Sequence, residues 1–479
     1  MANAPARRFF CDLAVMGGGL AGLVTALRAA QLGLIVRVFE RLPEDRYVCN
    51  SRLTGGIFHV ALNRIDDPAQ TLAERIDAAT DGTAHPGLAR AISDDAMRLI
   101  RWLQDAGIRF ICSGAEPYQA YTLAPPALPQ FGRQWEGRGG DVMLRTLEAE
   151  LNRKSGAVKR GYAVHELTER DGCCVGLRGT DQTGEAFFID ARAVVIADGG
   201  FQANPAALAE HVSPRPDLLC QRNARASTGD GMRLAREIGA AVTGLHQFYG
   251  HVMSRDALTN ENLWPYPWAD ELARSGILVG PDARRFTDEG RGGVDMANAI
   301  ARQQDPGACV AIFDDAIWQG PGCARALSAN PYLVRGGATL HSAHSIAELA
   351  ARAGLPADAL TAEVADHNES LERESSGQRS PPRSTDRYKP WPIRQAPFHA
   401  LPVVAGITYT MGGIRIDEHA RALDETGRPI PGLYATGACT GGLEGGPRTG
   451  YVGGLVKCGV TGLRAAEHVA AQAMAEEIP

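Results

Sequence analysis

The chain has 479 residues, of which 44% are hydrophobic and 22% charged, with a formal net charge of −6. This balance excludes a disordered chain and a basic nucleic-acid binder, and the length calls for two or three domains. With no run of 18 apolar residues, no membrane span is expected.

In Ala6-Arg7-Arg8-Phe9-Phe10 the arginine pair precedes an apolar run that is already used as a strand, so it is read as an uncleaved N-terminus. Asp12 to Met16 form that strand. Gly17-Gly18-Gly19-Leu20-Ala21-Gly22 is a glycine turn opening a helix through Leu23, Leu27 and Ala30. Gly17, Gly19 and Gly22 have the GxGxxG spacing, in which the chain turns, a pyrophosphate approaches and helix packs on strand. Leu20 and Ala21 begin the helix, whose free N–H groups and positive dipole end suit phosphate. A second strand, Leu34 to Phe39, ends at Glu40-Arg41. Glu40 lies about 20 residues past the glycines, where an acid holds an adenosine ribose. The segment Ser51-Arg52-Leu53-Thr54-Gly55-Gly56 then suggests backbone pressed against a flat ring, and His59 is read as structural.

Helices are expected over Ala69–Ala79, Gly87–Asp105 and Val142–Lys154, with a Pro- and aromatic-rich loop at 112–135. A strand meander runs from Val164 to Ile189. A further buried strand ends at Asp198-Gly199-Gly200, and Thr228-Gly229-Asp230 opens a helix from Met232 to Ile238. More than one backbone-exposing turn in one nucleotide domain suggests FAD, and no second βαβ fingerprint for NAD is present. From residue 247 the texture becomes aromatic and Pro-rich, with a strand at Cys309–Phe313, helices at Ser345–Arg352 and Thr361–Ser375, and a polar linker at 375–392. The first pattern then returns: strands at Ile414–Asp417 and Pro431–Gly437, Ala438, Gly453, and a closing helix from Leu455 to Ala471. The expected fold is α/β, a Rossmann-like FAD-binding domain (1–246 and 401–479) interrupted by an inserted α+β capping domain (247–400).

These motifs together resemble the fumarate reductase and succinate dehydrogenase flavoprotein superfamily. The resemblance spans nearly the whole chain and implies FAD, with the active site between the two domains. It implies a proton relay through Glu271 and Arg274 to Arg291, which follows Arg285-Phe286-Thr287-Asp288-Glu289 two residues closer than in the family. Tyr409 stands where the family has a substrate-binding histidine, and His251 matches an upstream one. Arg448 corresponds to the carboxylate clamp, a task suited to a planar guanidinium fork. Ala438 replaces a family glutamate. Tyr47-Val48-Cys49-Asn50-Ser51 contains no histidine for a covalent flavin, so FAD is expected to be non-covalent; a thioether from Cys49 is the conceivable exception.

The chemistry implied is hydride exchange at a CH–CH or C=C bond beside a carboxylate or ketone, with Tyr409 or Arg291 moving the proton. The competing readings are an amino-acid oxidase of the aspartate oxidase type and a flavin-binding protein without turnover. The partner is a small carboxylate or ketone; the direction and the electron donor or acceptor stay open. Ten scattered cysteines without CxxC spacing argue for a reducing cytoplasm and against a metal centre.

Overall fold

The computed structural model describes residues 7–128, 130–132, 134–324 and 327–476. Ala6, and Pro129 and Arg133 of the predicted loop, lie outside the described residues.

The chain begins with strand β1 (Arg7–Met16), helix α1 (Leu20–Gln31) and strand β2 (Val36–Glu40). A short turn of helix, α2 (Asn50–Leu53), leads to α3 (Ala69–Thr80), α4 (Pro86–Asp105) and α5 (Gly139–Arg153). Strands β3 (Ala157–Arg160), β4 (Tyr162–Arg170), β5 (Cys173–Asp181) and β6 (Ala186–Ile196) follow, then α6 (Asp230–Glu237). The predicted break between the meander and the strand before Asp198 does not exist. β6 runs straight through, pairing its first half with β5 and its full length with β1.

A second group comprises β7 (Phe248–Ser254), α7 (Asp270–Ser275), β8 (Ile277–Val279), α8 (Gly293–Ala301), β9 (Val310–Asp314) and the long strand β10 (Phe398–Thr410). The chain closes with β11 (Arg421–Leu423), β12 (Pro429–Ala435) and α9 (Gly454–Glu476).

The first sheet has the order β11-β12-β6-β1-β2-β3, with β5 and β4 added beyond β6. β1 pairs in parallel with both β2 and β6, β2 with β3, and β6 with β12. Parallel pairing brings the carboxyl ends of these strands to one edge. The crossovers from β1 go both ways, so that edge is a switch point where ligands bind. It carries Gly17, Glu40, Asp198 and Gly437.

α1 is buried almost all round because it lies between the sheet and α9, which explains its lack of a polar face. α4 shows the one-sided alternative, burying Leu88, Ile92, Leu99, Ile100 and Leu103. Each such side chain contributes about 1.5–3 kcal/mol by leaving water. Glu467 of α9 accepts from Arg28 of α1 and Arg98 of α4, tying the three helices together at their rim.

The second sheet is built around β10, which pairs antiparallel with β7 and β9 and in parallel with Cys220–Gln221. The fold is thus an α/β architecture in which the second sheet is inserted between two parts of the first. Residues 375–392 are no free tether. Arg383 is buried and bonds the Arg274 carbonyl (2.6 Å), and Ser384 holds Asp288. The Arg285-to-Glu289 motif is the other half of that fastening. Arg285 pairs with Glu289 and donates to the carbonyls of Pro381 and Pro382.

Candidate active site

At the strand-end edge, Gly17 has φ +104°, and a side chain there would meet the Ala197 carbonyl oxygen at 2.7 Å. Gly19 and Gly55 differ: a Cβ on Gly19 would lie 3.6 Å from its nearest neighbour, and one on Gly55 would have nothing within 4 Å. An open slot therefore runs past the start of α1, which has no side-chain cap and no acid in its first turn. No side chain of the helix itself offsets its positive end, so an anion fits there.

The walls of the slot are fixed by buried polar ties. Tyr47 donates to the Gly18 carbonyl (2.7 Å), and Ser51 accepts from Leu20 N–H (3.0 Å). Thr54 accepts from Gly56 N–H (3.1 Å). Arg52 and Asp141, both fully buried, pair and dock α2 on α5. Glu40 accepts from the N–H groups of Gly18 and Leu42, each at 3.0 Å. Two donors leave its carboxylate with further lone-pair sites for hydroxyls. Arg41 reaches across to Thr228 (2.9 Å), Asp230 (3.0 Å) and the Ala226 carbonyl, so three predicted cofactor residues meet.

Asp198 accepts from Gly231 N–H (2.8 Å), while its Oδ1 is buried with no partner among the described residues. Gly199 and Gly437 take the left-handed backbone (φ +87° and +75°), and a side chain on Gly200 would overlap Thr410. Ala438 sits in the short turn Gly437–Cys439 after β12. Gly453 and Leu455 flank the start of α9, and Gly453 N–H donates to Glu444 (3.2 Å).

Burial pushes the Asp198 carboxyl up to about 7. An acid whose folded pKa lies above its unfolded value (3.8) stabilises the fold fully below about pH 4, and that contribution is lost as pH rises to about 7. The ligand-free protein should therefore lose up to about 4 kcal/mol from this group between pH 4 and 8. Asp198→Asn should lack that fall, which denaturant unfolding at pH 4, 6 and 8 would measure. Equal falls in both proteins would assign the pH dependence elsewhere.

Where the second sheet meets the slot, aromatic rings gather. Tyr249 of β7 is paired directly with Tyr409 of β10, their centroids 5.6 Å apart. Tyr451 stacks on Tyr249 at 4.0 Å and 19°. His59 meets Tyr451 edge-on at 5.3 Å, and burial lowers its pKa to about 4, leaving a neutral imidazole. Tyr409 donates to Glu444 (2.9 and 3.1 Å); burial first, then that carboxylate, raises its pKa well above the ordinary phenol range. Behind Tyr249 lies His251, stacked on Trp268 (3.6 Å) and bonded to Asp270 (2.6 Å). Arg222 sits over the Trp268 ring at 5.3 Å and bonds Thr408.

His251 and Tyr409 thus come together, joined by Tyr249. Arg448 does not join them. Its side chain is 54% exposed and pairs with Asp81 (3.1 Å). The cause is a tight loop: Gly445 and Gly450 exchange two backbone hydrogen bonds, and Thr449 takes φ +48°. Arg448 is left at the outer tip, and Tyr451, three residues on, turns inward. Arg291 donates to the Pro447 carbonyl (3.2 Å) and lies 3.6 Å from Asp288, so it grips that loop. Glu271 is buried and lies 3.4 Å from Arg274, whose guanidinium covers Tyr388 at 4.1 Å. Asp270, next to Glu271, is the acid that meets the histidine. Sequence reasoning missed Tyr249, Tyr451 and Glu444; alternation puts Tyr249 beside His251, the signal that was available.

A family model described as the FAD binding domain matches residues 12–451. Over 457 residues the chain is 26% identical to the NADH:fumarate oxidoreductase of Klebsiella pneumoniae, covering 92% of this chain and 45% of that protein. It therefore spans under half the length of that relative. Over 528 residues it is 26% identical to the 4-oxocyclohexanecarboxylate 2-dehydrogenase of Sinomonas cyclohexanicum, covering 92% and 89%. Its fold is similar to the crystal structure of 3-ketosteroid-delta4-(5alpha)-dehydrogenase from Rhodococcus jostii in complex with 4-androstene-3,17-dione. That match has a TM-score of 0.73, 23% identity and 98% coverage of both chains.

Proposed function

The chain belongs to the FAD-binding fumarate reductase and succinate dehydrogenase flavoprotein superfamily, and on that premise we propose that it is a dehydrogenase or reductase of a ring ketone. It adds or removes hydrogen at a CH–CH or C=C bond beside the carbonyl. FAD supplies the hydride acceptor or donor and the two electrons. The protein's own part is placement and proton handling.

For the cofactor, the start of α1 at Gly19 takes the pyrophosphate and Glu40 the ribose hydroxyls, while the opening beside Gly55 takes the ring. The unpartnered Asp198 Oδ1 and the open positions at Gly19 and Gly55 support that fit. The flavin is non-covalent: burial raises the Cys49 thiol to about 11, which keeps it from the reactive thiolate form. Acid precipitation should leave a colourless pellet and a yellow supernatant. A reducing compartment, the cytoplasm, suits the ten free thiols. Among the described residues no helix is long and apolar enough to cross a membrane.

The observation that carries the substrate class is the cluster of Tyr249, Tyr409, Tyr451 and His251, with Arg448 on the surface. Phenols and stacked rings suit a planar carbonyl compound; a dicarboxylate calls for guanidinium forks. The test is anaerobic mixing of the holoenzyme with cyclic ketones, cyclic enones and open-chain dicarboxylates, followed by the flavin spectrum. Ring ketones or enones should bleach or reoxidise the flavin, and Arg448→Ala should respond as wild type does. Exchange with dicarboxylates alone, abolished by Arg448→Ala, would reverse the assignment.

A further inference from the structure

The Tyr249 hydroxyl lies 3.1 Å from His251 Nε2, and His251 Nδ1 lies 2.6 Å from Asp270 Oδ2. The other carboxylate oxygen of Asp270 accepts from Val252 N–H at 2.8 Å. A carboxylate held this way accepts from Nδ1–H, which fixes the tautomer and turns the Nε2 lone pair to the phenol. The Trp268 ring lies against the imidazole, nearly parallel to it, and holds its plane. A side chain on Gly293, at the start of α8, would overlap the Asp270 carboxylate, so that acid is enclosed from above. Burial deepens along the chain of groups. Tyr249 is partly exposed, whereas His251 and Asp270 are buried. An accessible phenol backed by a buried imidazole and carboxylate is the arrangement of a group that exchanges protons outward and has its charge stabilised inward.

We propose that Tyr249 exchanges the substrate proton and that His251 and Asp270 are positioning residues that relay it; this rests on the ring-ketone reading. In the oxidative direction the C–H bond beside the carbonyl breaks and its proton goes to the Tyr249 oxygen. The phenol's own proton passes to His251 Nε2, and the resulting imidazolium is stabilised by Asp270. The electron pair of the broken bond becomes the C=C bond, and bound FAD would supply the acceptor for the hydride that leaves the neighbouring carbon. Reduction runs the same transfers backwards. Tyr409 is less suited, because its hydroxyl already donates to the Glu444 carboxylate, which also holds two backbone N–H groups and Lys457.

Tyr249→Phe keeps the ring that stacks on Tyr451 and removes only the hydroxyl. In the holoenzyme it should slow ketone turnover roughly a hundredfold or more while KM and flavin retention change little. Deuterium uptake from heavy water at the carbon beside the carbonyl should fall in step. His251→Gln should also slow turnover, yet add nothing in the Tyr249→Phe background, because the relay has no phenol left to serve. A merely structural histidine would give losses that multiply. One readout needs no turnover: the proton on His251 Nδ1 should give a far-downfield NMR resonance, lost in Asp270→Asn and shifted in Tyr249→Phe. Wild-type turnover of ketones with full rates in Tyr249→Phe, or a resonance indifferent to that change, overturns the relay and leaves the ketone reading standing. A wild-type enzyme that accepts no ketone overturns the reading and the proton step with it.

Discussion

Glu444→Ala should destabilise the protein by about 3–5 kcal/mol, the range for removing one partner of a buried ion pair. Glu444 and Lys457 lie 3.4 Å apart with side chains 0% and 1% exposed. Glu444 also accepts from Tyr409 and from the N–H groups of Val452 and Gly453. Truncation would strand an ammonium and leave three further donors short of a partner. Lys457 would retain the carbonyls of Thr440 (2.8 Å) and Met411 (3.4 Å), which soften the loss without replacing the charge. Glu444→Gln keeps an acceptor for the neutral donors and should cost less. Urea unfolding of the two variants beside wild type measures this, and equal stability of all three would mean that the pair is not what holds this corner.

The same carboxylate joins structure to function. It fixes the Tyr409 hydroxyl and, through Val452 and Gly453, the bend that turns Tyr451 inward and starts α9. A second set of ties holds the loop before that bend from the capping side. Thr449 bonds Asp295 of α8 (3.3 Å), Gln247 bonds the Gly446 carbonyl (2.6 Å), and Arg291 bonds that of Pro447. Tyr249 and Tyr451 can therefore stack only while cap and nucleotide sheet are together. Glu444→Gln should then disturb ligand affinity as well as stability.

The turn and strand order that frame the proposed cofactor slot were legible because their chemistry is local. A glycine turn after a strand and an acid at the end of the next strand lie within one strand–helix–strand unit, and the arginine beside the acid reaches Thr228 and Asp230 from that strand end. Parallel pairing then gathers them without further instruction. The substrate half was less legible because it depends on register and loop handedness. Arg448 and Tyr451 lie three residues apart in one glycine-rich loop, and only the paired hydrogen bonds of Gly445 and Gly450 decide which faces inward. β10 escaped detection as a 13-residue strand, since Pro402 and Gly406 interrupt its apolar run. Without it the pairing of Tyr249 with Tyr409 could not be read. The polar stretch at 375–392 resembled a linker because its fastening, Arg285 and Asp288, lies about a hundred residues earlier.

The glycine turn allows one argument about cause, because two substitutions in it should fail for different reasons. Gly22 lies inside α1, where alanine is normally better than glycine by about 1 kcal/mol. Its Cβ, however, would overlap the Gly17 carbonyl and lie 3.3 Å from Val15 Cγ1. Overpacking of that kind costs about 1–3 kcal/mol, so geometry outweighs propensity. Gly22→Ala should therefore lower stability with or without FAD and lose the cofactor as the turn is pushed out of shape. Gly19 has an ordinary φ of −71°, and its Cβ would meet nothing closer than the Ser51 hydroxyl at 3.6 Å. Gly19→Ala should leave the FAD-free protein as stable as wild type. Its methyl group would stand in the path by which a pyrophosphate approaches the start of α1, weakening FAD binding roughly tenfold or more, about 1.4 kcal/mol. Flavin retention and unfolding measured on both variants separate the two causes. If Gly19→Ala binds FAD as wild type does, the phosphates do not cross the turn at that residue, and the placement of the cofactor along α1 has to be redrawn.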